Sequence, residues 1–174
     1  TGTPPVVISG ATANGSGIWI GTPGAGNQTL ALRQNAAVTS LAGDGSVRVG
    51  AFQNLSMTMN GNNKFVVTAA LQGTVVTGNG AGSNASAILS NRTTALDVIA
   101  RVGDAAPDAF GVPSTNLYRN FGTSGVAIND AGHVVFSSSL RDAAGTQTAT
   151  SALFSDTGAG TMRMLAKVGD ALPS

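Results

Sequence analysis

The sequence repeats itself at a spacing of 69 residues, and this repeat limits the possible folds more than any other feature. The stretch GVAINDAGHVVFSSSL at 125–140 matches SMTMNGNNKFVVTAAL at 56–71 when Asn129 is placed on Asn60. Tandem units of this kind fold as arrays in which each unit packs against its neighbours. The sequence therefore predicts stacked copies of one small structure.

Within each copy, apolar and polar residues alternate around a short loop. Alternation with a period of two is typical of a β-strand with one buried face. The loops NGNN and NDAG suit hairpin turns because Asn and Gly tolerate positive φ, and Asp130 is interpreted as a turn residue. Lys64 and His133 fall on the polar face. The predicted core residues are Met57, Met59, Phe65, Val67 and Leu71 in one copy and Val126, Ile128, Val134, Phe136 and Leu140 in the other.

A second hairpin follows each first one. SALFSDTGAGTMRMLAKVGDA from Ser151 is echoed by SAILSNRTTALDVIARVGDA from Ser86 and by GIWIGTPGAGNQTLALRQNA from Gly17. With the strands of a full unit named a, b, c and d, the units span about 4–35, 55–104 and 125–170. PPVVISG at 4–10 supplies strand b of the first unit, with nothing before it to serve as a. The chain is predicted to run b-c-d, a-b-c-d, a-b-c-d.

The composition favours strands over helices. Glu is absent, charged residues make up 10% of the chain, and small polar and β-branched residues are abundant. We predict a single all-β domain over 1–174, built from antiparallel four-stranded blade-like repeats. Propellers typically close with about four to eight blades, so three units form an incomplete propeller-like array, with a β-sandwich or stacked sheets as the alternative.

Charge and apolar pattern exclude two classes of partner. The formal net charge is +1 and no basic cluster is present, which argues against nucleic acid. No apolar run approaches the roughly 20 residues of a membrane span. Cys is absent, so disulfides and thiolate metal sites are excluded. The chain starts at Thr1 without a leader, which leaves open a removed signal peptide or a piece of a longer chain.

Candidate catalytic residues are few. The one histidine, His133, corresponds to Lys64 in the preceding repeat, which indicates a solvent-facing position. Asp104 and Asp170 occupy the same VGDA corner of two repeats, where an Asp side chain commonly bonds to its own backbone. We therefore expect no enzyme activity, no cofactor and no metal.

Two segments carry a resemblance to a known group of proteins. AINDAGHVVF followed by ALFSDTGAGTMRMLAKVGDALP resembles the tandem repeats of uncharacterised secreted bacterial proteins with INDxGxVxF and ARxGDxAP motifs. The resemblance covers most of the chain from Ile18 onward and is weakest in the first unit. It implies export and a propeller-like β architecture, and it supplies no catalytic residues.

Two hypotheses for function follow. The first is a non-enzymatic structural protein outside the cell or on its surface, which assembles with itself through strand or edge contacts into a filament or layer. The expected assembly contacts are Val6, Val7, Ile8, Leu172 and Pro173.

The alternative is a propeller-like module that binds a glycan or another ligand within a larger secreted protein. Trp19 aligns with Ile88 and Leu153, which indicates packing between sheets, but an exposed Trp is also a common way to hold a sugar ring. The expected ligand contacts are Trp19, Asn116, Tyr118 and Asn120.

Overall fold

The structure, a computed structural model, contains thirteen β-strands and no α-helix in the residues that it describes. Those residues are 6–9, 16–21, 28–38, 41, 47–50, 52, 56–76, 85–93, 95–156 and 161–171, with only the backbone described at 6–9 and 122–124. The strands are β1 Val6–Ser9, β2 Ser16–Ile20, β3 Thr29–Arg33, β4 Arg48–Val49, β5 Met57–Met59, β6 Phe65–Gln72, β7 Ser86–Ser90, β8 Asp97–Arg101, β9 Ala105–Pro107, β10 Pro113–Ile128, β11 Val134–Arg141, β12 Gln147–Asp156 and β13 Met162–Lys167. The predicted all-β class is confirmed.

The strands form three antiparallel sheets. Sheet one has the order β1-β2-β3, sheet two β4-β6-β7-β8 with β5 also paired to β6, and sheet three β13-β12-β11-β10-β9. The predicted strands are present in each sheet. Strands b, c and d of the first unit are β1 to β3, strands a to d of the second unit are β5 to β8, and strands a to d of the third unit are β10 to β13. Strand order along the chain is therefore also strand order across each sheet, as in a meander.

The repeat extends to the pairing register. Met57 pairs with Val67, and Val126 pairs with Phe136, so that both partners shift by 69 residues. Arg48 pairs with Gln72 in the same way that Leu117 pairs with Arg141, which makes β4 the equivalent of the first half of β10. Sheets two and three therefore begin before residues 55 and 125, where the second and third units were predicted to start.

Successive sheets pack face to face. One apolar cluster joins Ile18 and Leu32 of sheet one to sheet two, and a second joins Val66 and Ile88 of sheet two to sheet three. The predicted core positions are buried or partly buried in these clusters, which confirms the strand faces. Val66 is also fully buried although it lies on the opposite face from Phe65. The sequence predicted one buried face, whereas the middle sheet is covered on both.

Sheet three curls around an aromatic core. The rings of Tyr118, Phe121, Phe136 and Phe154 pack with centroids 5.1–5.8 Å apart. The two edges of the sheet approach each other, because the backbone N–H of Met164 on β13 donates to the carbonyl of Asp108, just after β9, at 3.0 Å. The concave side is thereby filled, while the convex side faces away from sheet two.

Candidate functional site

The joint between sheets two and three is formed partly by two equivalent hairpin turns that lie side by side. Nδ2 of Asn60 donates to the carbonyl of Asn129 at 2.7 Å, and Nδ2 of Asn62 donates to the carbonyl of Asp130 at 2.9 Å. The backbone N–H of Gly61 donates to Oδ1 of Asp130 at 2.7 Å. Asp130 is therefore a turn residue, as predicted, and also an acceptor for the neighbouring repeat.

The two asparagines that begin these turns have the same local role but different surroundings. Oδ1 of Asn60 accepts the N–H of Lys64 at 2.9 Å, and Oδ1 of Asn129 accepts the N–H of His133 at 2.9 Å. Asn60 is buried and Asn129 is exposed. Within the described parts of the chain, Nδ2 of Asn129 has no acceptor, because no later turn lies beside it.

This difference gives a prediction with a matched control. Asn60→Asp keeps the acceptor for Lys64 but replaces the donor that reaches Asn129 with a buried carboxylate oxygen facing a carbonyl. We expect a loss of about 1–3 kcal/mol in the free energy of unfolding, measured by urea denaturation. Asn129→Asp makes the same change where the amide has no inter-repeat partner, and should cost under about 0.5 kcal/mol. Equal losses for the two variants would contradict the inter-repeat role of Asn60.

An ion pair crosses the same joint. The side chain of Asp156 is 1% exposed and contacts the guanidinium of Arg92 from sheet two. Its Oδ1 accepts the N–H of Val134 at 2.7 Å and lies 3.7 Å from Nδ1 of the half-buried His133. The sequence reasoning missed Asp156. In the sequence, the one indication of its role was its alignment with Asn91, whose Oδ1 accepts the equivalent N–H of Phe65 in sheet two.

The convex side of sheet three is an open surface, which we call the tail face. Ala127 is in register with Val135, and Ser137 with Leu153, while Leu165 protrudes at a β-bulge in β13. Two neighbouring depressions of about 380 and 240 Å³ lie on this surface and share Ala127 and Val135 in their walls. The five named residues carry no charge.

The tail face of sheet three corresponds to the side of sheet two that is buried against sheet three. Ile88 is 0% exposed against sheet three, whereas its equivalent Leu153 is 41% exposed. Val102 is 4% exposed, whereas its equivalent Val168 is 63% exposed. Val135 and Ala166 are likewise more exposed than their equivalents in sheet two, Val66 and Ala100. Sheet three thus displays a surface of the type that forms the joint inside the molecule.

The opposite end of the array also has an open surface, which we call the head face. Trp19 is half-buried on sheet one, in register with Leu30, which is 44% exposed. The indole lies over Gly17, where an added Cβ would stand 2.7 Å from ring atoms of Trp19. Trp19 therefore takes up the space above a residue that has no side chain.

The strand pairing shows that the predicted alignment of Trp19 is wrong by one residue. A register shift lies between Ile18 and Trp19, and the equivalent shifts follow Ile88 and Leu153. Matching these bulges places Ile18, rather than Trp19, on Ile88. Trp19 then corresponds to Leu89 and so lies on the other face of its sheet.

The expected assembly contacts divide into two groups. Val6, Val7 and Ile8 lie on β1, which pairs with β2; no described strand pairs with its other edge. Their role as assembly contacts stays a prediction. Leu172 and Pro173 lie outside the described residues.

The expected ligand contacts do not form one site on a common surface. Asn120 is exposed, and Asn116 is half-buried with its Oδ1 accepting the hydroxyl of Thr148 at 2.7 Å. Tyr118 is buried in the aromatic core, so its prediction as an exposed contact is wrong. Burial raises the pKa of its phenol, and the charge of Asp104 raises it further. Trp19 belongs to a different sheet.

The two acidic corners behave as turns. Oδ2 of Asp170 accepts the N–H of Lys167 at 2.9 Å beside Gly169, which has φ of +99°. Asp104 follows Gly103, which has φ of +93°. Asp104 is exposed, but neighbouring chain displaces part of its hydration shell, and this desolvation raises the pKa of its carboxyl while Arg101 lowers it.

Two features are absent from the residues that the structure describes. No group of three or more His, Cys, Asp or Glu side chains is placed to hold a metal ion. None of the described segments is a helix of the length and apolarity that crossing a membrane requires.

Comparison with known proteins adds a family. No curated protein and no solved structure matches the chain. The match to a family covers residues 7–173, which include all three sheets. The chain belongs to the family of unknown function DUF7453.

Proposed function

We propose that the protein is a non-enzymatic structural protein of the cell exterior, whose copies associate end to end into a filament or layer. The observation that carries the proposal is the tail face. It exposes Leu153 and Val168 where sheet two buries the equivalent Ile88 and Val102 in a joint with the next sheet. Removing such apolar area from water provides about 25 cal/mol per Å² toward association.

The end of sheet three supports the same proposal through its backbone. The N–H of Asn35 donates to the carbonyl of Val49 on β4 at 2.8 Å, and the N–H of Gly103 donates to the carbonyl of Tyr118 on β10 at 2.9 Å, so each earlier corner bonds to a strand of the following sheet. Gly169 occupies the third such corner. In the described part of the chain, its N–H has no acceptor, which suits a further sheet at this end.

The proposed location outside the cell rests on composition. Charged residues are sparse and small polar residues abundant, which favours a protein outside the cell, and the resemblance of the repeats to those of secreted bacterial proteins implies export. The five residues that define the tail face carry no charge, and the exposed Arg163, in register with Ser155, lies beside them.

Sedimentation velocity over a range of concentrations tests the proposal. We expect the wild-type protein to form species larger than a monomer, and Leu153→Asp to weaken this association at least tenfold because it places a carboxylate in the joint. Val75→Asp makes a similar change at a side chain that is 48% exposed and outside the tail face, and should leave association unchanged. A wild-type protein that remains monomeric throughout, or equal effects of the two variants, would contradict the proposal.

A ligand-binding module is the second candidate, and one observation favours it. The smaller depression is lined by Asn129, His133 and Ser155, whose amide, imidazole and hydroxyl groups suit the hydroxyls of a glycan. Screening against a glycan array, with His133→Ala as the comparison, tests this candidate. Binding that depends on His133 would support it, and an absence of binding would exclude it.

A further inference from the structure

We infer that the joint between copies has a head-to-tail polarity, in which the tail face of one copy binds the head face of a second copy. The inference rests on the proposed function and adds the partner surface to it. It identifies Trp19 and Leu30 as the receiving residues, neither of which was expected to take part in assembly.

The two joints inside the chain have the same polarity. Sheet one contributes Ile18 and Leu32 to the joint with sheet two, and sheet two contributes the equivalent Ile88 and Ala100 to the joint with sheet three. Both joints therefore use the same side of the earlier sheet. The corresponding side of sheet three is the side that carries Leu153, which is the tail face.

In each sheet, an equivalent pair of side chains lies on the side that receives the preceding sheet. In sheet two, Leu89 and Val98 are paired across β7 and β8 and belong to the cluster shared with sheet one. Phe154 and Met164 are the equivalent pair in sheet three and belong to the cluster shared with sheet two. Sheet one has Trp19 and Leu30 as its equivalent pair. These are large apolar side chains, and no earlier sheet covers them in the part of the chain that the structure describes.

Sheet one has fewer strands than the other two sheets in the described residues. Sheets two and three each have five strands, and β9 and β10 help to enclose the aromatic core of sheet three. Sheet one has three strands in the described residues, so its receiving side is not enclosed in this way. A symmetric dimer through two tail faces would leave this side of Trp19 and Leu30 in water. A head-to-tail joint covers both ends, and because it does not close on itself it propagates.

Mixing two variants tests the polarity. Leu153→Asp disables the tail face and keeps the head face, whereas Leu30→Asp disables the head face and keeps the tail face. We expect each variant alone to remain monomeric in sedimentation velocity, with association at least tenfold weaker than in the wild type. The two together should form a one-to-one dimer that does not grow further, because only one functional joint remains.

The outcomes separate this inference from the proposed function. A wild-type protein that does not associate overturns both. A wild-type protein that associates, with Leu30→Asp still forming dimers alone or with no dimer in the mixture, overturns only the polarity.

The single tryptophan provides a readout that requires no variant to fold. Trp19 is the only Trp in the chain, so intrinsic fluorescence at selective excitation reports the head face alone. We expect its emission to shift to shorter wavelength as the wild-type protein assembles, because the indole leaves water. Assembly without any change in this emission would overturn the inference.

Discussion

Replacing Phe136 with Ala is expected to lower the free energy of unfolding by about 3–5 kcal/mol. Phe136 is completely buried, and its ring packs within 5.3–5.8 Å of the rings of Tyr118, Phe121 and Phe154. The substitution leaves a cavity in the aromatic core, which sheet three surrounds and sheet two covers. Because domains are stable by only about 5–15 kcal/mol, the variant should unfold at markedly lower urea concentration.

Phe110 provides the matched control for this prediction. Its side chain is 82% exposed on the loop between β9 and β10. Phe110→Ala should change stability by less than about 0.5 kcal/mol, because no packed neighbour loses contacts. If the two variants unfold at the same urea concentration, the aromatic cluster is not the core of sheet three.

Asp156→Ala is expected to cost about 2–4 kcal/mol, because it removes both the buried partner of Arg92, whose other carboxylate neighbour Asp97 lies 3.8 Å away, and the acceptor for Val134. The variant leaves Arg92 without its buried carboxylate and leaves the N–H of Val134 without its acceptor. The measurement is the shift in urea midpoint, followed by circular dichroism. Since Arg92 belongs to sheet two and Asp156 to sheet three, the loss reports on the joint between repeats.

Asp156→Asn is the control for this second prediction. Asn91 accepts the equivalent N–H of Phe65 at 2.6 Å in sheet two, which shows that an amide oxygen satisfies this position. Asn at 156 should therefore retain the hydrogen bond to Val134 and lose only the charge. The cost of Asp156→Asn therefore measures the ion pair with Arg92, and the further cost of Asp156→Ala measures the hydrogen bond to Val134. No cost for Asp156→Asn would contradict the ion pair across the joint.

Much of the fold was predictable because burial follows alternation in this sequence. The period-two pattern around NGNN and NDAG identified Phe65 and Phe136 as core residues, and the 69-residue spacing predicted that the units would have the same strand order. The burial of Val66 was not predictable from alternation. It depends on sheet two lying between two others, which is a property of the array rather than of one strand.

The candidate site was less predictable, because its residues are defined by pairing and contact. Trp19 was assigned to the wrong face because a one-residue bulge shifts it relative to Ile88, and the ungapped alignment hid that shift. Tyr118 was expected among the ligand contacts, yet it lies in the aromatic core with its ring centroid 5.1 Å from that of Phe154. Asp156 had no motif of its own. Its role appears only when Arg92 is brought to it across the joint.

The repeats also explain why a joint between copies would be weaker than a joint inside the chain. Inside the chain, the equivalent turns at Asn60 and Asn129 fix one sheet beside the next through three hydrogen bonds. Sheet one has no described turn of this kind, so a joint between copies would depend on the apolar contacts of the two end faces. We therefore expect it to be weaker than the joints within the chain and to depend on concentration.

Electron microscopy of the purified wild-type protein tests the central claim most directly. Three sheets stacked at about 10 Å each predict a filament that rises by roughly 30 Å per copy along its axis. Leu153→Asp should remove these filaments under the same conditions, and Val75→Asp should retain them. Isolated particles of monomer size at every concentration, or filaments unaffected by Leu153→Asp, would contradict the account of stacked repeats with an open tail face.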